Sequence, residues 1–131
     1  MTGRKILIVE DNAIVALETK ERLRRLGYVV AGVTGTGKDA ISLACSINPD
    51  LILMDINLKG DMDGITAAEQ IAAFCPAPVI YITAYSNETT KERALKTNPS
   101  AYLVKPFREQ ELYRSIELAL SKKSGDAPAG T

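Results

Sequence analysis

Ile6-Leu7-Ile8-Val9 runs straight into Glu10-Asp11, and Leu51-Ile52-Leu53-Met54 runs straight into Asp55. Unbroken apolar runs of this length, rich in Ile and Val, fit strands buried on both faces of a parallel sheet, where neither row of side chains meets water. Three further runs have the same character: Tyr28 to Val33, Val79-Ile80-Tyr81-Ile82 and Ala101 to Val104. Between them lie longer stretches with helical spacing. Asn12 to Leu26 sets Ala16, Leu23 and Leu26 on one stripe and Lys20, Glu21, Arg24 and Arg25 opposite. Ile41, Ala44 and Cys45 form a second stripe, and Ile65, Ala68 and Ala72 a third. Residues 87 to 97 are weaker, with only Ala94 and Leu95 apolar, whereas Leu112, Ile116, Ala119 and Leu120 give a clear last helix. Gly27, Asn48-Pro49, Pro76 and Pro78 punctuate the helix ends. The pattern is (βα)₅, an α/β chain that builds an open parallel sheet with helices on both faces.

A length of 131 residues suits one domain and is enough to bury a core without staples. Sixteen basic residues balance sixteen acidic ones, which argues against a nucleic-acid binder that relies on bulk phosphate attraction. The absence of histidine removes Ser-His and Cys-His nucleophile pairs, His-ligated zinc and any phosphohistidine role for this chain itself. Cys45 and Cys75 lack metal or redox spacing, and both are expected as buried, reduced thiols. No apolar run is long enough for a membrane span or a signal-peptide core, so a cytoplasmic protein is expected. The folded domain is expected over residues 1–121, and residues 122–131, with nothing to bury, as a disordered tail or linker stub.

In open α/β sheets function gathers at the carboxyl ends of the strands. Those ends carry Glu10-Asp11, Gly35 to Gly37, Asp55, Thr83-Ala84 and Lys105-Pro106. Each residue alone has an ordinary use as a cap, a strand end or a solvated charge. Together they place three carboxylates, a hydroxyl and an ammonium on one rim. Mutual repulsion would raise the carboxylate pKa values unless compensated. Lys105 cancels one negative charge, and a divalent cation cancels the other two. Mg²⁺ suits, because it binds one or two carboxylates and keeps waters for a phosphate oxygen. A carboxylate so placed can attack phosphorus, with Lys105, Thr83 and the metal sharing the charge on the phosphoryl oxygens.

These residues resemble the response-regulator receiver domain of two-component signalling. The motifs are Ile6 to Asp11, Pro49 to Asp55, Met62-Asp63-Gly64, Thr83-Ala84 and Lys105-Pro106-Phe107, and the likeness covers residues 4 to 121. The resemblance implies a flavodoxin-like sheet of order 2-1-3-4-5 with its switch point between the first and third strands. It implies Asp55 as phosphoacceptor, Mg²⁺ on Asp11, Asp55 and the backbone carbonyl of Asn57, and Glu10 acting on the metal through water. Lys105 would pair with Asp55 at rest and with the phosphoryl group afterwards. Thr83 and Tyr102 correspond to the family's switch pair, and Lys105–Pro106 to its cis peptide. The implied partners are a sensor histidine kinase or phosphotransfer protein upstream. Downstream they are a protein target or a second copy, docked on the face formed by residues 87 to 97, the fifth strand and the last helix. Two departures stand out. The stretch Asp55 to Gly64 is one residue longer than the common pattern and lacks its proline, which implies a looser loop. The first acid is Glu10 where Asp is also common.

Two other readings compete. Gly32-Val-Thr-Gly-Thr-Gly-Lys38 matches a nucleotide-binding P-loop, but Asp39 stands where a metal-binding hydroxyl belongs and would repel phosphates. An adaptor of the same shape without phosphorylation is the other. No DNA-binding, methylesterase or cyclase segment follows residue 121, so a stand-alone receiver, or one cut from a larger regulator or hybrid kinase, is expected. Asn57, Ala84 and Tyr85 are expected to border the site and govern water access.

Overall fold

The computed structural model describes residues 3–84 and 87–123. Five strands and five helices alternate: β1 (Lys5–Val9), α1 (Ala13–Arg25), β2 (Val29–Thr34), α2 (Gly37–Ile47), β3 (Leu51–Asp55), α3 (Gly64–Ala72), β4 (Val79–Thr83), α4 (Glu88–Lys96), β5 (Ala101–Val104) and α5 (Glu109–Lys123). All strands are parallel, in the order β2-β1-β3-β4-β5. This is the flavodoxin-like order implied by the sequence. Tyr85 and Ser124–Thr131 lie outside the described residues, and α5 continues two residues beyond the expected boundary at 121.

Strand alternation divides the core into two layers. Ile6 and Ile8 of β1, Leu51 and Leu53 of β3, and Ile80 and Ile82 of β4 face Leu23 of α1 and Leu112, Ile116, Ala119 and Leu120 of α5. Leu7, Val9, Ile52, Met54 and Tyr81 face the other way, against Ala40 and Ala44 of α2, Ile65 and Ile71 of α3, and Ala94 of α4. The small alanines let these helices approach the sheet closely, while the large residues come from the strands.

Helix ends follow side-chain chemistry. The side-chain Oδ1 of Asn12 accepts from the amides of Ile14 and Val15, that of Asn87 from the amide of Thr90, and the Thr36 hydroxyl from the amide of Asp39. Asn48 closes α2 in the left-handed conformation, and Gly27 follows α1 at φ 97°.

Three expectations need correction. β2 and β5 are edge strands, each paired on one side only, with Val29, Val33 and Val104 exposed, so neither is buried on both faces. Cys75 is buried but Cys45 is exposed: α2 turns Ala40, Ala44 and Gly37 to the sheet, and Cys45 falls on the rotated flank. Ala72 is likewise exposed, its expected place taken by Ile71.

The glycines of the apparent phosphate loop have packing roles. Gly32 lies inside β2 rather than in a loop, and a Cβ there would meet Ile47 Cδ1 at 2.7 Å. Gly37 is the buried first residue of α2, against Met62 and Ala67. The tightest approach is elsewhere: Gly64, whose amide donates to the Ile56 carbonyl at 2.8 Å, would place a Cβ 2.1 Å from the Asp55 carbonyl oxygen. That atom is rigid backbone, so Gly64→Ala must push α3 off β3. A loss of about 1–3 kcal/mol of stability is expected, read as a lower urea midpoint at unchanged slope.

Candidate functional site

The sheet order sets β1 and β3 side by side and β4 next to β3, so their carboxyl ends deliver Glu10, Asp55 and Thr83 to adjoining positions. The register is locked at the rim. The Glu10 amide donates to the Thr34 carbonyl, that of Ile56 to Ile82, and that of Lys105 to Thr83. These bonds continue the sheet one step past β1, β3 and β5 and fix the strand ends at which Glu10, Asp55, Thr83 and Lys105 stand.

Glu10, Asp55 and Thr83 are the buried polar and charged residues among the described ones, at 8%, 7% and 0% exposure. Lys105 Nζ donates to Glu10 Oε1 at 2.8 Å and lies 3.8 Å from Asp55 Oδ2. The ammonium thus bridges both carboxyls but sits nearer Glu10, a difference from the pairing with Asp55 implied by resemblance. Glutamate reaches one methylene further toward the lysine. Asp55 is held on its other side, where its Oδ1 accepts from the Asn57 amide at 3.0 Å. Glu10 Oε2 accepts from the Asn12 amide at 3.1 Å. The Asn57 carboxamide donates to Thr83 Oγ1 at 3.2 Å.

One carboxylate oxygen each from Glu10, Asp11 and Asp55 can be chosen so that all lie within 4.8 Å of one another. Three hard oxygen donors at that spacing fit a small divalent cation, with Asp11 on the solvent side. The electrostatics agree. Burial pushes Asp55 up, and the hydrogen bond and negative charge of Glu10 push further, so that it reaches about 7 although Asn57 and Lys105 pull it down. Burial also raises Glu10, but its hydrogen bonds with Lys105, Asp55 and Asn12 outweigh it and leave the carboxyl below its usual range. One ammonium therefore satisfies one of two buried carboxylates well and the other poorly. A cavity of about 220 Å³ opens beside them, between Val15, Glu18, Thr19 and Arg22 of α1 and Pro106–Phe107.

The structure brings together Glu10, Asp11, Asp55, Asn57, Thr83 and Lys105. Tyr102 stands apart from the acidic cluster. It pairs in register with Tyr81 on β4, is half-buried, and packs against the core layer that contains α3 and α4. Ala84 is exposed at the rim. The Lys105–Pro106 peptide is cis. Sequence reading missed the Asn12 amide on Glu10, the Asn57–Thr83 contact, and an ion pair of 2.9 Å from Arg93 of α4 to Asp63, the N-cap of α3. The first was detectable, since an Asn following two acids before a helix is a cap whose own amide faces back. The others join residues far apart in sequence.

Residues 6–117 match the family model of the response regulator receiver domain. The chain belongs to that family. Receivers are signalling domains of two-component systems rather than conventional enzymes, act as phosphorylation switches, and work with histidine kinases. The chain is 42% identical over 119 residues to the transcriptional regulatory protein PdtaR of Mycobacterium tuberculosis, covering 91% of this chain and 58% of that one. It spans little more than half of that relative's length. In structure it is similar to the signal receiver domain of a modulated diguanylate cyclase from Desulfovibrio desulfuricans G20, with a TM-score of 0.89, 40% identity, and coverage of 95% and 98%. It is also similar to the receiver domain of the sensor histidine kinase PA1611 from Pseudomonas aeruginosa PAO1, at a TM-score of 0.81, 33% identity, and coverage of 91% and 98%. That structure holds a magnesium ion coordinated in its active-site cleft. No helix among the described residues of this receiver is long and apolar enough to cross a membrane.

The raised Asp55 pKa fixes a pH dependence in metal-free solution. Its folded value of about 7 lies above the ordinary aspartate value of about 3.9, so the proton favours the folded state. That contribution is complete below pH 4 and disappears as pH rises through 7. Asp55→Asn, which keeps an oxygen for the Asn57 amide, is expected to stabilise the protein at pH 8 by on the order of 2 kcal/mol. The gain should shrink toward zero at pH 4 in matched urea melts.

Proposed function

We propose that this receiver takes a phosphoryl group on Asp55 from the phosphohistidine of a sensor histidine kinase or phosphotransfer protein. The observation that carries the reading is the buried Asp55 carboxyl set between Lys105, two further acids and the Thr83 hydroxyl. An oxygen of Asp55 attacks phosphorus, an O–P bond forms, the P–N bond breaks, and the donor imidazole leaves neutral, keeping the proton already on its other ring nitrogen. Ionised Asp55 is the competent nucleophile. Lys105, already within 3.8 Å of Asp55, is placed to move from Glu10 toward the new phosphoryl oxygens. In hydrolysis a water attacks phosphorus and Asp55 is released as carboxylate.

Asp11, Asp55 and the carbonyl of Asn57 would hold Mg²⁺ directly, with Glu10 reaching it through water. When bound, the ion neutralises charge on the phosphoryl oxygens. Support comes from the three-oxygen cluster and from the magnesium ion in the cleft of the Pseudomonas receiver. Thr83 would then bond the phosphoryl group, and Tyr102 would turn toward the space it leaves. Tyr102 already packs against the inner layer beside β4. Partner binding is assigned to the α4-β5-α5 face, for a protein target or a second copy, supported by Leu95, Val104 and Leu118, all exposed. A cytoplasmic location, a receiver over residues 1–121, and control of water access by Asn57 and Ala84 belong to the same reading.

The decisive test is labelling with acetyl phosphate and Mg²⁺. An acid-stable, base-labile label is expected on the wild type, reduced at least a hundredfold by Asp55→Asn or by chelation with EDTA. A wild type that takes no label leaves the non-phosphorylated adaptor standing. Calorimetry with Mg·ATP should show no binding at Gly32–Lys38.

A further inference from the structure

The Asn57–Thr83 hydrogen bond has a role that the phosphoacceptor chemistry does not require. Asn57 uses its main chain for the site: its amide serves Asp55, and its carbonyl is the assigned metal ligand. Its side chain does something separate, donating from Nδ2 to Thr83 Oγ1 at 3.2 Å. Thr83 is fully buried at the end of β4, so its hydroxyl has few positions open to it. The loop that carries Asn57 is tied at its far end as well. Asp63 caps α3 through Thr66, and Arg93 of α4 grips the same carboxylate at 2.9 Å. The β3–α3 loop therefore touches the β4–α4 unit at both ends, once through Thr83 and once through Arg93.

We infer that the Asn57 carboxamide is a positioning residue that latches Thr83 in the resting state and so sets the threshold for switching. The inference rests on the proposed phosphoacceptor reading and names a determinant of its equilibrium. Movement of Thr83 toward a phosphoryl group breaks a bond present only in the resting arrangement. An interaction made in one state alone biases the equilibrium by its full net strength.

Beryllofluoride, a phosphoryl mimic, with Mg²⁺ tests this by fluorescence or NMR titration of the whole chain. For Asn57→Ala the apparent beryllofluoride affinity is expected to tighten about fivefold, the ratio that a net hydrogen bond of about 1 kcal/mol gives. The affinities are compared at saturating Mg²⁺, so that any change in metal binding does not enter the ratio. Asn57→Leu, close in volume but without a donor, should behave the same way and covers a failure of the alanine variant to fold. In a Thr83→Ala background the substitution should change nothing further. An unchanged or weakened beryllofluoride affinity at saturating Mg²⁺ overturns the latch. A wild type that ignores beryllofluoride overturns the phosphoacceptor reading itself.

Discussion

One ammonium between two buried carboxyls is the constraint around which this domain is arranged. Lys105 neutralises Glu10 at hydrogen-bond distance and Asp55 only from 3.8 Å. Water is largely excluded from both acids, so the unbalanced charge cannot be dispersed by solvent. The domain tolerates this because its two apolar layers are continuous beneath the rim and close-packed against both faces of β1, β3 and β4. The cost is concentrated at one carboxyl. That carboxyl is also the one whose reaction or metal binding, in the proposed function, would relieve it.

The geometry of a parallel sheet explains why so much of this was legible in the sequence. All strands point the same way, so any residue just after an apolar run must reach the same rim. Glu10, Asp11, Asp55, Thr83 and Lys105 could therefore be grouped before their distances were known. The sheet order came from the family likeness, and the observed order agrees with it. The helices Asn12–Leu26 and 87–97 were delimited to within their capping residues, because Asn12 and Asn87 announce their roles locally.

What the sequence hid depends on relations between elements. Whether β2 lies at an edge is a property of strand order, and the run Tyr28 to Val33 looks as apolar as the central ones. The azimuth of α2 on the sheet separates exposed Cys45 from buried Ala44, which lie about 100° apart around the helix. Spacing brings Lys105 to the rim but does not say which oxygen it prefers. That choice follows from the longer arm of Glu10 and from the Asn57 amide that detains Asp55. The Arg93–Asp63 pair joins residues thirty positions apart, one on α4 and one capping α3, and no local pattern links them.

The rim residues extend from position 10 to position 105, and Lys105 follows the last strand of the sheet. In N-to-C synthesis the acids emerge before the amine that steadies them, so the two buried carboxyls are balanced only once the fifth strand and the residue after it have been made.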